Sequence, residues 1–522
     1  MGISELLLLP FFVCFVVSVL GFLLHPPFCI YLIFAAKRKN HGKKETLKPY
    51  DEDRLPLQII QLPVFNEDVD MVKALIDSAC GVWYPRNKLI IQLLDDSDQE
   101  RISSALKEYV KIKKSQVPGV QLHYLHRSDR SNYKAGNLNF GLNEVRKSFP
   151  DKGDAEFDQS IVSIFDADFL IPDEYLRYTV GYFDDPSVGA VQADMDFANK
   201  NDSALTRAAA IFQENLHRVD FTGRSVSGNL TTFKGSAGSL RYRLIRDCRF
   251  WQGDTQIEDV DLSFAAQAKG WKIVYTDLVS CSCVLPSSYN DFKLQQRSWM
   301  KGIMEVMRKQ LGGVLGSSRL GFLQKLLALE FFLVFSLQSL FMVVSHLTLI
   351  PAYYFWSSVG ETWIFHGLVL ALPLILALTH IPFLAIRLAD PETVEQGRSS
   401  LPGKEPLFAF ALMTALFVTL SYGLIEGLSG AAVHRDRTGK VGRKQERRGG
   451  NITAGTSIAI LKKINGVEWL MALYSILVVC WAGLNGFVAI ATVYSVLAII
   501  YPLNAIISFW LLPKRARAKT MH

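Results

Sequence analysis

The stretch Ser160-Ile-Val-Ser-Ile-Phe-Asp166-Ala-Asp168-Phe-Leu170 decides how the middle of the chain is interpreted. Its first half is a short apolar run rich in β-branched and aromatic residues, which predicts a buried strand. The run ends abruptly at Asp166 and Asp168. Carboxylates at positions i and i+2 point the same way, so they can share a divalent cation that in turn holds a diphosphate. The alternative is a strand-end turn with two solvated acids, and the flanking motifs favour the metal site.

The composition predicts membrane segments on both sides of this stretch. The chain has 522 residues, of which 49% are hydrophobic, and a net charge of +7. Apolar residues concentrate at the N-terminus and after about residue 320, which predicts a membrane protein with one large aqueous domain. Most of the excess positive charge lies beside apolar segments, so it requires no nucleic-acid partner. The seven cysteines form no pair of Cys-x-x-Cys units, which argues against a zinc site and predicts reduced thiols.

Between residue 57 and about residue 286, short apolar runs alternate with amphipathic stretches. The runs 58–62, 88–94, 120–125 and 160–165 predict strands, and 68–80 predicts a helix. This βαβα rhythm predicts a mainly parallel sheet with helices on both faces. Such sheets bind ligands at the carboxyl ends of their strands, and the acids lie there.

The apolar segments predict membrane spans on both sides of this domain. The run 6–24 is long enough to cross a bilayer, and the prolines that follow His25 break or kink it. Basic residues begin at Lys37, which predicts a cytosolic middle domain by the positive-inside rule. Of the later segments 326–351, 363–386, 406–432 and 467–512, the third is expected along the cytosolic interface, because the basic loop and tail after it then both lie inside. We therefore expect five spans plus an interfacial helix, with six spans as the alternative.

Weak motifs follow the other predicted strands. Asn66 and Glu67 follow the first strand, Asp95 and Asp96 the second, and Lys134 and Gly136 the third. Taken alone, these are a turn, a helix cap and a surface loop. A lysine beside a glycine that allows close backbone approach also suits phosphate.

The order of the motifs carries a resemblance. Together with Phe165–Asp168, Gln256-Ile-Glu-Asp259 and Gln295-Gln-Arg-Ser-Trp299, they resemble the family 2 membrane glycosyltransferases, which include cellulose, hyaluronan and chitin synthases. The strongest likeness is to the cellulose-synthase-like mannan and glucan synthases, through Ser78-Ala-Cys-Gly81 and the stretch 90–97. The resemblance spans about residues 55–302. It implies an α/β GT-A-like nucleotide-sugar domain, with a mixed, mainly parallel sheet, inserted between α-helical transmembrane segments.

The resemblance also implies roles for individual residues. Asp166 and Asp168 would bind Mg²⁺ or Mn²⁺, and Asp259 would be the general base, with Glu258 as the first alternative. Trp299 would stack on the terminal sugar of the acceptor. The residues implied to bind the nucleotide sugar are Asn66, Glu67, Asp95, Asp96, Lys134, Gly136 and Asp166. Those implied to bind the acceptor are Gly235, Ser236, Gln295, Arg297 and Trp299.

One motif departs from the family pattern Gln-x-x-Arg-Trp. Ser298 stands at the arginine position, and Arg297 comes one residue early. Either Arg297 reaches round to the diphosphate, or a basic loop in the family's gating-loop position compensates, or the enzyme is disabled. The gating-loop residues would be Arg435, Arg437 and Lys440, for which positive-inside charge is the alternative explanation.

The expected domains are a transmembrane segment (1–36), a cytosolic GT-A-like domain (37–320), a transmembrane hairpin (321–404), an interfacial helix (405–433), a basic cytosolic gating-type loop (434–466), and a transmembrane hairpin with a basic tail (467–522). The expected function is a processive, inverting β-glycan synthase in a plasma or Golgi-type membrane. Its partners would be a nucleotide sugar (UDP-glucose before GDP-mannose), the growing glycan and the bilayer, with homo-oligomerisation left open. Polar residues inside the segment 326–351 (Ser336, Gln338 and Ser339) suggest a path for export. A lipid-directed transferase of the ceramide glucosyltransferase type and a non-catalytic membrane scaffold are the alternatives.

Overall fold

A seven-stranded mixed sheet forms the centre of the aqueous domain in the computed structural model, which describes residues 3–38, 52–149, 153–359, 412, 415–430 and 455–510. The strand order is β3-β2-β1-β4-β6-β5-β7. The strands are β1 (Gln58–Val64), β2 (Leu89–Asp95), β3 (Gln121–His126), β4 (Ile161–Ile164), β5 (Val188–Phe197), β6 (Gly238–Arg241) and β7 (Lys272–Cys283). The first four confirm the strands expected from the apolar runs.

Every neighbouring pair of strands is parallel except the two pairs that include β6. Strand β6 lies antiparallel between β4 and β5, with Ser163 opposite Ser239 and Ile164 opposite Gly238. The beginning of β6 therefore lies at the edge where β4 ends. This topology brings the residues just before β6 next to Asp166.

The helices of the described residues are α1 (Ile3–Lys37), α2 (Val69–Gly81), α3 (Glu100–Gln116), α4 (Tyr133–Ser148), α5 (Asp154–Phe157), α6 (Tyr175–Thr179), α7 (Ala204–Asn215), α8 (Thr222–Val226), α9 (Tyr242–Asp247), α10 (Glu258–Ala268), α11 (Tyr289–Gly316), α12 (Phe322–Leu329), α13 (Ser336–Val359), α14 (Phe417–Ser429), α15 (Gly455–Leu484) and α16 (Val488–Trp510). Two π-helical segments lie at Leu216–Phe221 and Glu330–Phe335.

Helices cover the sheet on both faces, which explains why β1, β2 and β4 read as continuous apolar runs. Successive strand residues point to opposite faces, so Ile60 packs into a core with Leu75 of α2. Its neighbour Ile59 packs into a second core with Leu138 of α4 and Leu262 of α10. Both cores hold the strands rigidly, so the polar residues at the strand ends have fixed positions.

Four helices of the described residues are long and apolar enough to cross a membrane, and they span Ser4–Lys37, Ser336–Val359, Ser457–Leu484 and Ile490–Ser508. Helix α1 continues through the prolines after His25 instead of ending there. The segment 467–512 contains two helices, α15 and α16, as expected from its length. The expected span at 363–386 lies outside the described residues, so the five-span count stays a prediction.

Helix α11 connects the sheet domain to the apolar helices. Helix α14 crosses it closely, because a Cβ added at Gly423 would lie 2.5 Å from the Arg297 carbonyl oxygen. Four residues later, a Cβ at Gly427 would lie 2.4 Å from the Lys301 carbonyl oxygen. Small residues at this spacing let two helix backbones approach each other. Helix α14 lies within the segment expected at the membrane interface, and its glycines serve this contact.

Candidate active site

Polar side chains converge at one edge of the sheet, where β1, β2 and β4 end and β6 begins. Asn66 follows β1, Asp95 ends β2, Asp166 follows β4, and Gly235 precedes β6. The strand order reverses beside β1, and this is where open parallel sheets form ligand-binding crevices. The predicted residues from distant parts of the sequence are therefore brought together.

Lys134 connects three of the predicted motifs. Its Nζ donates to Asp166 Oδ1 at 2.5 Å and to the Gly235 carbonyl oxygen at 2.8 Å. Burial opposes the charge on Lys134, but the attraction of Asp166 and Glu258 raises the pKa of Lys134 above its usual value. The lysine thus carries a stable positive charge at the point where a diphosphate is expected.

Asp166 and Asp168, the two predicted metal ligands, have different surroundings. The Asp166 carboxylate is partly exposed, and the Asp166 amide donates to Ser236 Oγ at 3.0 Å. Asp168 is buried, and its Oδ2 accepts a 3.4 Å hydrogen bond from the Val284 amide. Ser236, predicted to bind the acceptor, is therefore also a support for the turn that carries Asp166.

Two carboxylates fit a divalent cation that is also bound by a substrate. Among the described residues, no group of three or more His, Cys, Asp or Glu side chains is arranged to hold a metal. Mg²⁺ and Mn²⁺ prefer oxygen ligands, and Mg²⁺ in particular is usually held by one or two carboxylates together with substrate phosphates and water. Asp166 and Asp168 can supply such a partial ligand set.

Asp259 lies in the first turn of α10, near Gly235 and Lys134. Gly235 has a φ of +77°, and a Cβ added there would lie 2.8 Å from Asp259 Oδ2, so only glycine fits. Burial, together with the charge of Glu258, raises the pKa of Asp259 to about 7, against the opposing effect of Lys134. A carboxylate with this pKa can accept a proton near neutral pH. Glu258 is itself buried.

Asp95 and Asp96, at the carboxyl end of β2, hold the loops of the site in place. Asp95 is fully buried, and it accepts hydrogen bonds from the Ser97 amide at 2.8 Å and from Tyr124 Oη at 2.8 Å. Asp96 forms a two-point ion pair with Arg127, with Nε to Oδ1 at 2.6 Å and Nη2 to Oδ2 at 2.8 Å. Their predicted contact with a nucleoside stays a prediction. The structure adds the role of supporting the loop that leads to Lys134.

Three side chains important to this architecture had no motif to reveal them. Arg127 also donates to the Ser131 and Tyr133 carbonyl oxygens, which fixes the turn before α4. Gln192 is buried and donates to the Ser236 and Ala237 carbonyl oxygens, which fixes the segment before β6. Tyr124 supports Asp95, as described above. A basic residue after a strand or a glutamine inside one is too common a pattern to indicate such contacts.

Two other predicted nucleotide-binding positions are set by local packing. Asn66 has a φ of +50°, and its backbone N–H donates to Ser97 Oγ at 2.8 Å. Glu67 beside it is half-buried. Gly136 lies in the first turns of α4, where an added Cβ would lie 2.2 Å from the Ser131 carbonyl oxygen. The close approach at Gly136 is thus to the protein's own loop.

Helix α11 presents two different faces at the motif that departs from the family. Gln295, Ser298, Gly302 and Glu305 share one face by their spacing of three and four residues. On this face an added Cβ at Gly302 would lie 2.7 Å from Ile257, and Glu305 Oε2 accepts from the Gln256 amide at 2.6 Å. This face therefore packs against the segment that precedes Asp259.

Arg297 lies on another face of α11 and is buried. Its Nε donates to Glu426 Oε2 at 2.6 Å and its Nη2 to Glu426 Oε1 at 2.9 Å, which joins α11 to α14. The side chain of Trp299 is 39% exposed, and Gln295 is half-buried. The acceptor roles of these residues stay predictions. The predicted gating residues Arg435, Arg437 and Lys440 lie outside the described residues.

The fold and the polar residues at this edge of the sheet define a GT-A-like domain. The structure matches a mannosyltransferase from Pyrobaculum calidifontis, solved in complex with GDP-Man and Mn²⁺, with a TM-score of 0.52 over 80% of this chain and 99% of that chain. The sequence identity is 15%, so this match establishes the fold alone.

The sequence comparisons match two family models, each over part of the chain. Residues 59–248 match the model of glycosyl transferase family 2, and residues 161–390 match that of glycosyl transferase family group 2. The chain is also 31% identical over 342 residues to glucomannan 4-beta-mannosyltransferase 1 of Cyamopsis tetragonoloba, covering 64% of this chain and 62% of the relative. The match thus spans less than two thirds of the relative. The chain thus contains glycosyl transferase family 2 domains, as the order of its motifs predicts.

Proposed function

We propose that the protein is a processive, inverting β-glycan synthase that transfers a hexose from a nucleotide sugar to a growing chain. The observation that carries this proposal is the cluster of Lys134, Asp166, Gly235 and Asp259 at one edge of the sheet. Lys134 is a cation, and Asp259 is a base with a pKa of about 7. Asp166, together with Asp168, can supply oxygen ligands for a metal. A scaffold without catalytic activity would not require this combination.

The chemistry follows from what each side chain can do. Asp259 accepts the proton of the attacking hydroxyl as the new bond between acceptor oxygen and anomeric carbon forms. The bond between that carbon and the diphosphate breaks, and its electron pair stays with the diphosphate. Lys134 neutralises part of this charge, and Mg²⁺ or Mn²⁺ on Asp166 and Asp168, when bound, supplies further charge neutralisation. A positioned general base contributes roughly 10²- to 10⁴-fold to the rate.

The donor is best proposed from the sequence and the relative together. The sequence favours UDP-glucose, with GDP-mannose next. The relative from Cyamopsis tetragonoloba is named as a mannosyltransferase, which moves GDP-mannose to the first place. UDP-glucose is the second candidate.

Export of the product through the membrane rests on α13. The hydroxyls of Ser336 and Ser339 bond to carbonyl oxygens near them in the chain, at 3.0 Å and 3.5 Å. The amide Nε2 of Gln338 is buried and has no hydrogen-bond partner within the described part of the chain. A polar group of this kind at membrane depth suits a path for sugar hydroxyls. We place the active site on the cytosolic side, in a plasma or Golgi-type membrane.

The test is to incubate the purified full-length protein with each labelled nucleotide sugar and to digest the product with linkage-specific hydrolases. We expect a polymer that forms from one donor and requires a divalent cation. A single sugar on a lipid would instead identify a lipid-directed transferase, for which no export path is needed. The absence of both transfer and donor hydrolysis would contradict the proposed function.

A further inference from the structure

Lys234 is a second cation at the active site, and no motif assigns it a function. It lies between Phe233 and Gly235, directly beside the glycine that contacts Lys134 and Asp259. Its backbone amide donates to Gln192 Oε1 at 2.8 Å, so the backbone from which the side chain extends is held in place. The position of Lys234 is therefore as well defined as that of its neighbours.

The ammonium group of Lys234 lies over the ring of Phe221, with Nζ 4.2 Å from the ring centroid. Phe221 ends the π-helical segment Leu216–Phe221, and such segments are frequent at functional sites. The acids Asp194 and Asp220 lie near enough to attract the charge. Among the described residues, however, none forms a hydrogen bond or an ion pair with Lys234 Nζ.

The nearby acids already have other partners. Asp220 Oδ1 accepts from Arg224 Nε at 2.8 Å. Asp194 Oδ1 accepts from Tyr275 Oη at 2.6 Å and lies 3.3 Å from His217 Nδ1. A lysine ammonium is a donor only, so what it still needs is an acceptor, most favourably an anionic oxygen.

Lys234 also lies near two other parts of the candidate site. It lies near Asp259, the proposed base, and near Cys283 at the end of β7. The next amide along the chain, that of Val284, donates to Asp168. Lys234 is therefore near the proposed base and near the segment whose backbone contacts Asp168. Burial lowers the pKa of Lys234 to about 7, and the carboxylates of Asp220 and Asp194 oppose this shift only in part.

We propose that Lys234 binds an oxyanion of the reactants, either a phosphate oxygen of the donor or a carboxylate on the acceptor sugar. This inference rests on the proposed function. It also accounts for the motif in which Ser298 replaces arginine, because Arg297 is engaged by Glu426, whereas Lys234 Nζ has no hydrogen bond or ion pair among the described residues. A phosphate contact would restore the positive charge that the motif lacks.

The experiment compares Lys234→Met with Lys234→Arg in the full-length protein, with Lys272→Met as the control. Lys272 is an exposed lysine at the start of β7 that pairs with Asp185 at 3.3 Å, so its removal makes the same change in net charge away from the site. One arm measures the affinity for UDP and for GDP in the presence of Mn²⁺. The other arm compares transfer to a neutral oligosaccharide with transfer to a carboxylate-bearing oligosaccharide of equal length.

A charge-assisted hydrogen bond corresponds to a loss of roughly 10- to 100-fold when it is removed. We expect Lys234→Met to show such a loss in one arm and Lys234→Arg to retain most of the parental value. A loss of nucleotide affinity identifies the donor phosphate, and a loss confined to the charged acceptor identifies a carboxylate. Lys234→Met behaving like Lys272→Met in both arms overturns the inference, as do equal losses in the methionine and arginine variants. If the parental protein transfers no sugar, the proposed function fails, whereas the nucleotide arm still tests Lys234.

Discussion

Gly235→Ala is the most informative single substitution in the site, because one methyl group meets the proposed base. The added Cβ would lie 2.8 Å from Asp259 Oδ2, whereas ordinary contacts begin at 3.4 Å. Asp259 must therefore move by about 0.6 Å, and misplacement on the order of 1 Å costs roughly 10²-fold in rate. Lys134 Nζ, at 3.5 Å from the added atom, is already at an ordinary contact distance and need not move.

The backbone adds a separate cost, since φ at Gly235 is +77°. An alanine held in this left-handed region loses about 1–2 kcal/mol of stability. Gly228→Ala is the matched control, because its φ is +68° and no atom lies within 4 Å of its added Cβ. The control reproduces the backbone strain without the contact to Asp259.

The assay measures sugar transfer, nucleotide affinity and the thermal unfolding midpoint for both variants. We expect similar unfolding midpoints and similar nucleotide affinity, but transfer reduced by about 10²-fold only in Gly235→Ala. If Gly228→Ala loses as much transfer, strain in the fold explains the effect. If Gly235→Ala transfers sugar at the parental rate, Asp259 is not the base or does not need its observed position.

Further predictions concern the charged groups of the site. Asp259→Asn should retain nucleotide binding and lose at least about 10²-fold in transfer, and Asp168→Asn should lose the stimulation of transfer by added Mn²⁺. Because Asp259 must be unprotonated to accept a proton, transfer should rise with pH through about 7. Lys134 lowers the pKa of Asp259, so Lys134→Met should move this rise to higher pH in a pH–rate profile. Removing either Arg297 or Glu426 should lower the unfolding midpoint more than replacing both with apolar residues, because a single change removes one charge of a largely buried ion pair and leaves the other.

The strands that carry the site are predictable because both faces of the sheet are covered. Each of β1, β2 and β4 is a run of apolar residues that ends in polar ones, so the sequence marks both the strand and its functional end. Strand β6 has no such signal, since Gly238-Ser-Leu-Arg241 contains a single large apolar residue. Its antiparallel pairing with β4 comes from the tertiary structure, and this pairing brings Gly235 to the site.

Partners that are distant in sequence could not be predicted in the same way. In the sequence, Glu426 is a polar residue in the segment expected at the membrane interface. In the structure, its carboxylate pairs with Arg297, which lies 129 residues earlier. In the sequence, Lys234 is a single lysine between Phe233 and Gly235, with no pattern that indicates a ligand. What distinguishes it is that its neighbours Asp194 and Asp220 are already engaged, which only the assembled structure reveals.

Helix geometry explains why a shift of one residue matters in the motif on α11. Each residue of an α-helix turns by about 100°, so an arginine at 297 cannot project from the same face as one at 298. The face of Ser298 packs towards the segment before Asp259, whereas Arg297 projects to α14 and meets Glu426. The shift of the arginine by one position thus gives an ion pair between two helices instead of a charge on the face of Ser298. Lys134 supplies one positive charge for the diphosphate, and the proposed role of Lys234 would add a second one in place of the displaced arginine.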